Sequence, residues 1–175
     1  TQEEDGNFKN NLRNENEKLD SHSEDAFGRA IWALGYTIRK SKDVGIQQKS
    51  SSMFTKSLGR IEKLESIRGK AFSIIGLFNY YKKYQDKKVF GIIINLANSL
   101  VKSYDEESSL NWEWFEERLT YSNSKIPEAL FLAYDITKNI EYLKVGERTL
   151  NFLSDIVFKD DELLPIGETG WYEKG

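Results

Sequence analysis

The sequence predicts an all-α fold, an array of three helical hairpins. Six stretches carry apolar residues at the three- and four-residue spacing of an amphipathic helix. Only two prolines occur in 175 residues, and both fall outside the predicted helix interiors. The first helices of successive pairs also share a pattern of small residues. Together these features favour paired helices packed side by side.

Six helices follow one another along the chain. The first opens at Ser23, a good N-cap, and two acidic residues then suit the positive end of its dipole. The Ser-rich middle of the second helix makes it the weakest helix former. The run Ile92–Ile94 fits a buried strand as well, but the apolar pattern continues for four turns and favours a helix. The helices are predicted at about 23–42, 46–64, 66–84, 86–104, 124–138 and 140–158.

A polar segment precedes the helices. Residues 1–21 hold few strong apolar anchors, so we expect an extended arm, followed by a helical domain over 22–175. The chain begins at Thr1 without a methionine, which suggests a processed or excised piece.

The first, third and fifth predicted helices have similar sequences. Gly28–Gly35 matches Gly69–Gly76 at an offset of 41, and Ile126–Ala133 fits the same frame at a further offset of 58. A period near 40 with two helices per unit is typical of helical-hairpin arrays. Small residues let neighbouring helices approach closely. We therefore expect the first, third and fifth helices to form the inner layer of a curved array.

The composition excludes several kinds of site. Cysteine is absent, which excludes disulfides, thiolate nucleophiles and cysteine-bound metals. His22 is the single histidine, so a histidine-rich metal site is excluded as well, and we predict neither a metal nor a cofactor. His22 itself is a candidate general base or, as the more ordinary alternative, an exposed loop residue. Gly167-x-x-Gly170 is too short for a phosphate-binding loop and follows no strand.

Charge and hydropathy exclude two classes of partner. The net charge is −3 with both signs interspersed, and no basic stripe suggests nucleic acid. No apolar run reaches the roughly 18–20 residues that span a bilayer, and the N-terminus does not resemble a signal peptide. We therefore expect no nucleic acid, no membrane and a cytoplasmic location.

One stretch stands out chemically: residues 111–123, named here the aromatic–acidic loop. It holds two tryptophans, a phenylalanine, a tyrosine and three carboxylates, and it fits no simple helix or strand period. Aromatic rings stack on the C–H faces of sugars, and carboxylates and amides bind sugar hydroxyls. The loops before the inner helices share one edge of such an array, the rim, so segments 20–29, 64–70 and 111–125 should converge there.

The rim supplies the candidate site residues. Asp25, or its neighbour Glu24, is a candidate catalytic carboxylate with Glu113 or Glu116 as its partner, because glycoside hydrolysis generally uses two acids. The alternative for both Glu24 and Asp25 is helix capping. The predicted substrate-binding residues are Arg29, Arg68, Trp112, Trp114, Tyr121, Asn123 and Trp171.

Several of these residues also have a purely structural explanation. Arg29 follows Asp25 by one turn, so an ion pair between them is an alternative to a substrate clamp. Trp114 and Phe115 are equally well explained as core plugs that seal a long loop. Trp32, which lies among small residues, is interpreted as a core residue.

Three motifs in order carry a family resemblance. They lie at Ser23–Gly35 (SEDxxGRAxWALG), at Trp112–Asn123 (WxWFExxLTYxN) leading into Pro127–Leu130 (PEAL), and at Pro165–Tyr172 (PIGxxGWY). Together they resemble the α/α-toroid region of prokaryotic glycosyltransferase-associated proteins, a group akin to six-hairpin glycosidases and sugar epimerases. The resemblance covers roughly residues 5–175.

The resemblance implies a carbohydrate-processing or carbohydrate-binding domain. It implies a partial α/α toroid within a larger glycan-active protein, because the full toroid has about six hairpins and three are predicted here. A saccharide is the expected ligand, and a neighbouring catalytic domain or a second copy is a possible partner. If the chain is an enzyme, it is glycoside hydrolase-like or sugar-modifying. Two alternatives stay open: a non-catalytic accessory module, and a helical-repeat scaffold for protein–protein contacts.

Overall fold

A computed structural model describes residues 2–9, 23–160, 162–167 and 170–175. Within these ranges the chain forms six helices and four strands of two residues each, which confirms the all-α prediction. The helices are α1 Glu24–Lys40, α2 Val44–Ile61, α3 Ile67–Tyr84, α4 Lys87–Glu107, α5 Lys125–Thr137 and α6 Ile140–Val157. The strands are β1 Arg118–Leu119, β2 Phe158–Lys159, β3 Glu162–Leu163 and β4 Tyr172–Glu173.

Side-chain caps fix where most of the helices begin. The Ser23 hydroxyl accepts a hydrogen bond from the backbone N–H of Ala26, as the sequence predicts for α1. Asp43, Ser66, Asp86 and Asn139 cap α2, α3, α4 and α6 in the same way. The predicted second and fourth helices differ from the structure at their C-terminal ends, since α2 stops at Ile61 and α4 continues to Glu107. The segment 92–94 is helical.

The helices form two layers. Each hairpin pairs an inner helix with an outer one, α1 with α2, α3 with α4 and α5 with α6, and α3 packs between α1 and α5. The core lies between the layers, where the stacked rings of Phe54 and Tyr80 join α2 to α3 at a centroid distance of 4.6 Å. The array therefore consists of three helical hairpins packed side by side. Among the described helices, none has the length and apolar character needed to cross a membrane.

Glycine pairs explain the close packing of α1 on α3. A Cβ atom on Gly28 would lie 2.6 Å from the carbonyl oxygen of Gly69, and one on Gly35 would lie closer still to that of Gly76. The two helices therefore touch backbone to backbone at both levels. The 41-residue offset thus aligns residues that face one another across a single interface.

The described part of the predicted arm is folded against α2. In residues 2–9 the amide of Gln2 donates to the carbonyl of Met53 at 2.8 Å, and the hydroxyl of Ser57 donates to the carbonyl of Gly6 at 2.7 Å. Phe8 packs on Phe27 of α1. The rest of the arm and His22 lie outside the described residues.

Candidate functional site

The three rim segments meet at Asp25. Its two carboxylate oxygens accept hydrogen bonds from the hydroxyl of Ser66, the cap of α3, and from the phenol of Tyr121 in the aromatic–acidic loop. The neighbouring Glu24 accepts from the backbone N–H groups of Glu65 and Ser66 at 2.8 and 2.6 Å. These bonds join α1, α3 and the loop before α5 at one edge, as the hairpin array requires.

Arg68 holds the aromatic–acidic loop in place. The residue is 6% exposed, and all three nitrogens of its guanidinium donate hydrogen bonds. Nη1 binds both carboxylate oxygens of Glu116 at 2.9 and 2.7 Å, Nε binds the carbonyl of Tyr121 at 2.7 Å, and Nη2 binds the amide oxygen of Asn123 at 3.1 Å. The Asn123 side chain also bridges the turn: its oxygen accepts from the backbone N–H of Thr120, and its nitrogen donates to the Thr120 carbonyl. Arg68, Glu116 and Asn123, expected to face a substrate, are therefore bound chiefly to one another.

The two tryptophans of the loop are buried, contrary to the expectation that they line an open rim. Trp112 is 3% exposed and Trp114 is 0% exposed. The Trp112 indole donates to the carbonyl of Glu116 at 2.8 Å, and its ring stacks on Tyr172 and meets Phe152 edge-on. Large rings gain more from filling the space between the loop and α6 than from exposure. The core-plug interpretation therefore describes Trp114 and Phe115, and Trp112, expected to bind substrate, is buried in the same way.

Glu113 is directed away from the Asp25 network. Its carboxylate accepts a hydrogen bond of 2.6 Å from the phenol of Tyr104, near the end of α4. Burial is the main cause that raises the pKa of Tyr104, and the bond to Glu113 adds to it. Of the three candidate catalytic carboxylates, only Asp25 and Glu116 thus belong to one connected set.

Tyr121 lies at the centre of that set and is exposed on one side. Arg29 and Arg68 place their guanidinium carbons 5.6 and 5.0 Å from the centre of its ring. Burial raises the pKa of Tyr121, and the hydrogen bond to Asp25 and the charge of Asp25 raise it further, against the opposing charges of Arg68 and Arg29. The phenol is therefore held as a proton donor to Asp25.

Arg29 does not form the ion pair that its spacing from Asp25 suggests. Its guanidinium carbon lies 5.0 Å from the centre of the Phe72 ring and close to that of Tyr121. No hydrogen bond or ion pair joins Arg29 to another residue that the structure describes. Asp25 is satisfied by hydroxyl groups instead, which leaves the Arg29 donors available.

Next to Arg29 a cavity of about 320 Å³ opens on the inner face of α1, named here the α1 cavity. It is lined by one stripe of that helix, Arg29, Trp32, Ala33 and Tyr36. The Trp32 ring lies parallel to that of Phe72 at a centroid distance of 6.0 Å, and the Lys125 ammonium lies 4.7 Å from its centre. Tyr36 is 54% exposed.

Trp32, Tyr36 and Lys125 are the residues that sequence reasoning missed. Trp32 packs against the core on one side, as interpreted, yet it also borders the α1 cavity. The signal that could have found the cavity is the spacing of Arg29, Trp32, Ala33 and Tyr36 at i, i+3, i+4 and i+7, which puts them on one helix face. That face lies beside the one that carries Gly28 and Gly35.

The remaining candidate, Trp171, is half-buried at the C-terminal end of the described chain. It directly precedes β4, and β4 pairs antiparallel with β1 so that Tyr172 lies opposite Leu119. This register places Trp171 beside Thr120, at the edge of the aromatic–acidic loop. A second cavity lies by the same strand pair, but its charges are largely paired, with Lys174 2.7 Å from Glu107.

Lys70, also expected at the rim, donates to the hydroxyl of Ser99 on α4 at 2.9 Å. Burial lowers the pKa of Lys70, and the charges of Glu24 and Glu65 oppose that shift. Among the described residues there is no group of three or more carboxylate or imidazole side chains that could hold a metal ion.

Comparison with protein-family models, with curated proteins and with solved structures found no match to this chain.

Proposed function

We propose that this chain is a carbohydrate-binding helical domain whose site is the α1 cavity together with the adjoining Asp25–Tyr121 rim. The observation that carries the proposal is the α1 cavity itself, about 320 Å³ with two aromatic side chains in its lining. Small-molecule sites are typically concave, mostly apolar and about 300–1,000 Å³ in volume, with a few polar groups that fix orientation. The exposed Tyr36 ring suits the C–H face of a sugar ring, and Trp32, which lies against Phe72 and Lys125, borders the same space.

Polar groups that suit sugar hydroxyls lie beside these rings. Arg29 lines the α1 cavity with its donors available, its guanidinium lies over the Tyr121 ring, and the Tyr121 phenol donates to Asp25. The aromatic rings supply contact area at little entropic cost, while the charged groups supply directional hydrogen bonds. A saccharide needs both kinds of contact.

The candidate carboxylates favour binding over hydrolysis. A glycosidase needs one carboxylic acid that protonates the leaving group and a second carboxylate that attacks or activates water. Here both oxygens of Asp25 and both of Glu116 already accept hydrogen bonds from protein donors, and Glu113 is bound to Tyr104. The hydrogen-bonded carboxylates therefore act as parts of the framework, and the domain is a non-catalytic accessory module.

Titration calorimetry with a panel of oligosaccharides tests this function. The Trp32→Ala variant is expected to lose about tenfold or more in affinity, because the α1 cavity loses the larger of its two aromatic walls. Tyr84→Ala is the control, because Tyr84 is a 45% exposed aromatic residue at the C-terminal end of α3, outside the α1 cavity and the rim, and the affinity of this variant should stay close to that of the unmodified chain. Equal binding by Trp32→Ala and the unmodified chain, or release of shortened sugars during incubation, would overturn the proposal.

A scaffold for protein contacts is the second candidate. It is favoured by the exposed apolar residues Val44 and Ile46, which follow the exposed Tyr36 around the turn between α1 and α2. Exposed apolar patches of this kind often mark protein interfaces. An Ile46→Glu change should then remove a co-purifying protein partner while leaving saccharide binding intact.

A further inference from the structure

The geometry points to an acidic saccharide as the ligand: a uronic acid that lies in the α1 cavity beside Trp32 and Tyr36 and whose carboxylate binds Arg29. This inference rests on the proposed function and narrows it to a substrate class. It starts from an arginine that lines an apolar cavity without an acidic partner among the described residues. An arginine side chain has five N–H donors in a planar fork that matches a carboxylate.

Arg29 is pre-positioned for such a contact. Its guanidinium is held within 5.0 Å of the Phe72 ring centre and 5.6 Å of the Tyr121 ring centre by cation–π attraction. No protein acceptor among the described residues takes its N–H donors, which are therefore left for a ligand. A side chain already held in place loses less conformational entropy when it binds.

Arg68, the other arginine of the rim, has a guanidinium whose donors are bound to protein acceptors. Arg68 binds both oxygens of Glu116, and it is buried. Arg29 offers the same chemistry at an exposed position, with a cavity in place of a glutamate. A uronate carboxylate would accept hydrogen bonds from Arg29 as the Glu116 carboxylate does from Arg68.

A second cation borders the same ring. The Lys125 ammonium lies 4.7 Å from the Trp32 ring centre and 2.7 Å from the Glu128 carboxylate. Asp25, an acidic residue of the rim, is bound to two hydroxyl donors. Because Glu128 pairs with Lys125, Arg29 is the cation near Trp32 that lacks an acidic partner among the described residues, and it suits an anionic sugar ring better than a neutral one.

The test compares each acid with its own methyl ester. Di- and trisaccharides of glucuronic, galacturonic and mannuronic acid are titrated into the full chain by calorimetry, beside the methyl esters that keep the ring and linkage but remove the charge. At least one acid should bind about tenfold or more tightly than its ester, because a charged bidentate pair replaces a neutral contact. The preference should weaken in 1 M salt.

Protein variants assign that preference to one side chain. Arg29→Gln should bind acid and ester alike. Arg39→Gln is the control, an exposed arginine of the same helix that lies over Phe78 and outside the α1 cavity, and it should keep the preference. Both changes are at exposed positions, and matching thermal melts will confirm that both variants fold.

The outcomes separate this inference from the function on which it rests. Equal binding of acid and ester, or binding of neutral sugars alone, would overturn the acidic ligand and leave carbohydrate binding standing. A preference that survives Arg29→Gln would overturn the role of Arg29. Failure of every saccharide, acidic or neutral, to bind would overturn the proposed function and the inference together.

Discussion

Arg29 and Arg68 show how the surroundings of a residue decide what it does. Both are arginines near the start of an inner helix, and both lie within reach of the Tyr121 ring. Arg68 is buried among acceptors from the aromatic–acidic loop, whereas Arg29 is exposed beside the α1 cavity. We infer that the first supports the loop and the second contacts the ligand.

Replacing Arg68 tests the supporting role. Arg68→Met removes four hydrogen bonds and leaves Glu116 and Asn123 without their partner, so we expect a loss of about 3 kcal/mol in the free energy of unfolding. Arg118→Met is the matched control, since Arg118 is exposed and 4.0 Å from Glu173, and it should change stability by less than about 0.5 kcal/mol. Chemical denaturation measures both. Similar small losses in the two variants would contradict the account of Arg68.

The Tyr121–Asp25 hydrogen bond has a signature in pH. Because the folded state raises the pKa of Tyr121, the folded chain holds this proton more tightly than the unfolded chain. The resulting stability is fully present below the unfolded value of about 10 and is lost as pH rises through the folded value. Tyr121→Phe should cost about 1 kcal/mol at neutral pH.

Ultraviolet titration measures the same group directly. The difference in absorbance between the unmodified chain and Tyr121→Phe should show a single tyrosine that ionises above about pH 10. A difference curve centred at or below that value would contradict the hydrogen bond to Asp25.

At the scale of elements, the inner layer depends on glycine. Gly28 and Gly35 of α1 meet Gly69 and Gly76 of α3 so closely that a methyl group has no space. This contact fixes which face of α1 is covered by α3. It thereby leaves the stripe from Arg29 to Tyr36 facing the α1 cavity.

A single added methyl group tests this contact. Gly35→Ala should destabilise the chain by about 1–3 kcal/mol, because its Cβ would meet the backbone of Gly76, which cannot rotate away. Gly59→Ala is the control within α2, where an added Cβ has open space, and it should stabilise the chain by about 0.5–1 kcal/mol. Thermal or chemical unfolding gives both values, and the account fails if Gly35→Ala is as stable as Gly59→Ala.

Helices were easier to predict from the sequence than the roles of loop residues. Periodicity and caps such as Ser23 depend on neighbours within one turn, so the six helices could be placed to within a few residues. The burial of Trp112 and Trp114 depends on Phe152 and Tyr172, which lie far along the chain. No local pattern distinguishes a ring that seals a loop from one that faces a ligand.

At the scale of the whole molecule, the hairpin array puts the starts of the inner helices at one rim. That convergence follows from the alternating direction of the helices, and for this reason the grouping of Asp25, Arg68 and Tyr121 could be expected from sequence. The spacing of the residues that line the α1 cavity puts them on one face of α1, but the position of Trp32, flat on Phe72 and beside Lys125 of α5, could not be predicted from it. The cavity is therefore lined by α1, while α3 and α5 hold Trp32 in place.

The indole N–H signals of the four tryptophans test the central claim most directly. They are recorded by two-dimensional NMR of the nitrogen-15-labelled chain, assigned with Trp→Phe variants, and followed as an oligosaccharide is added. The account predicts that the Trp32 signal shifts and saturates, while those of the buried Trp112 and Trp114 stay in place. A Trp32 signal that does not move while the saccharide binds, or shifts confined to Trp112 and Trp114, would contradict it.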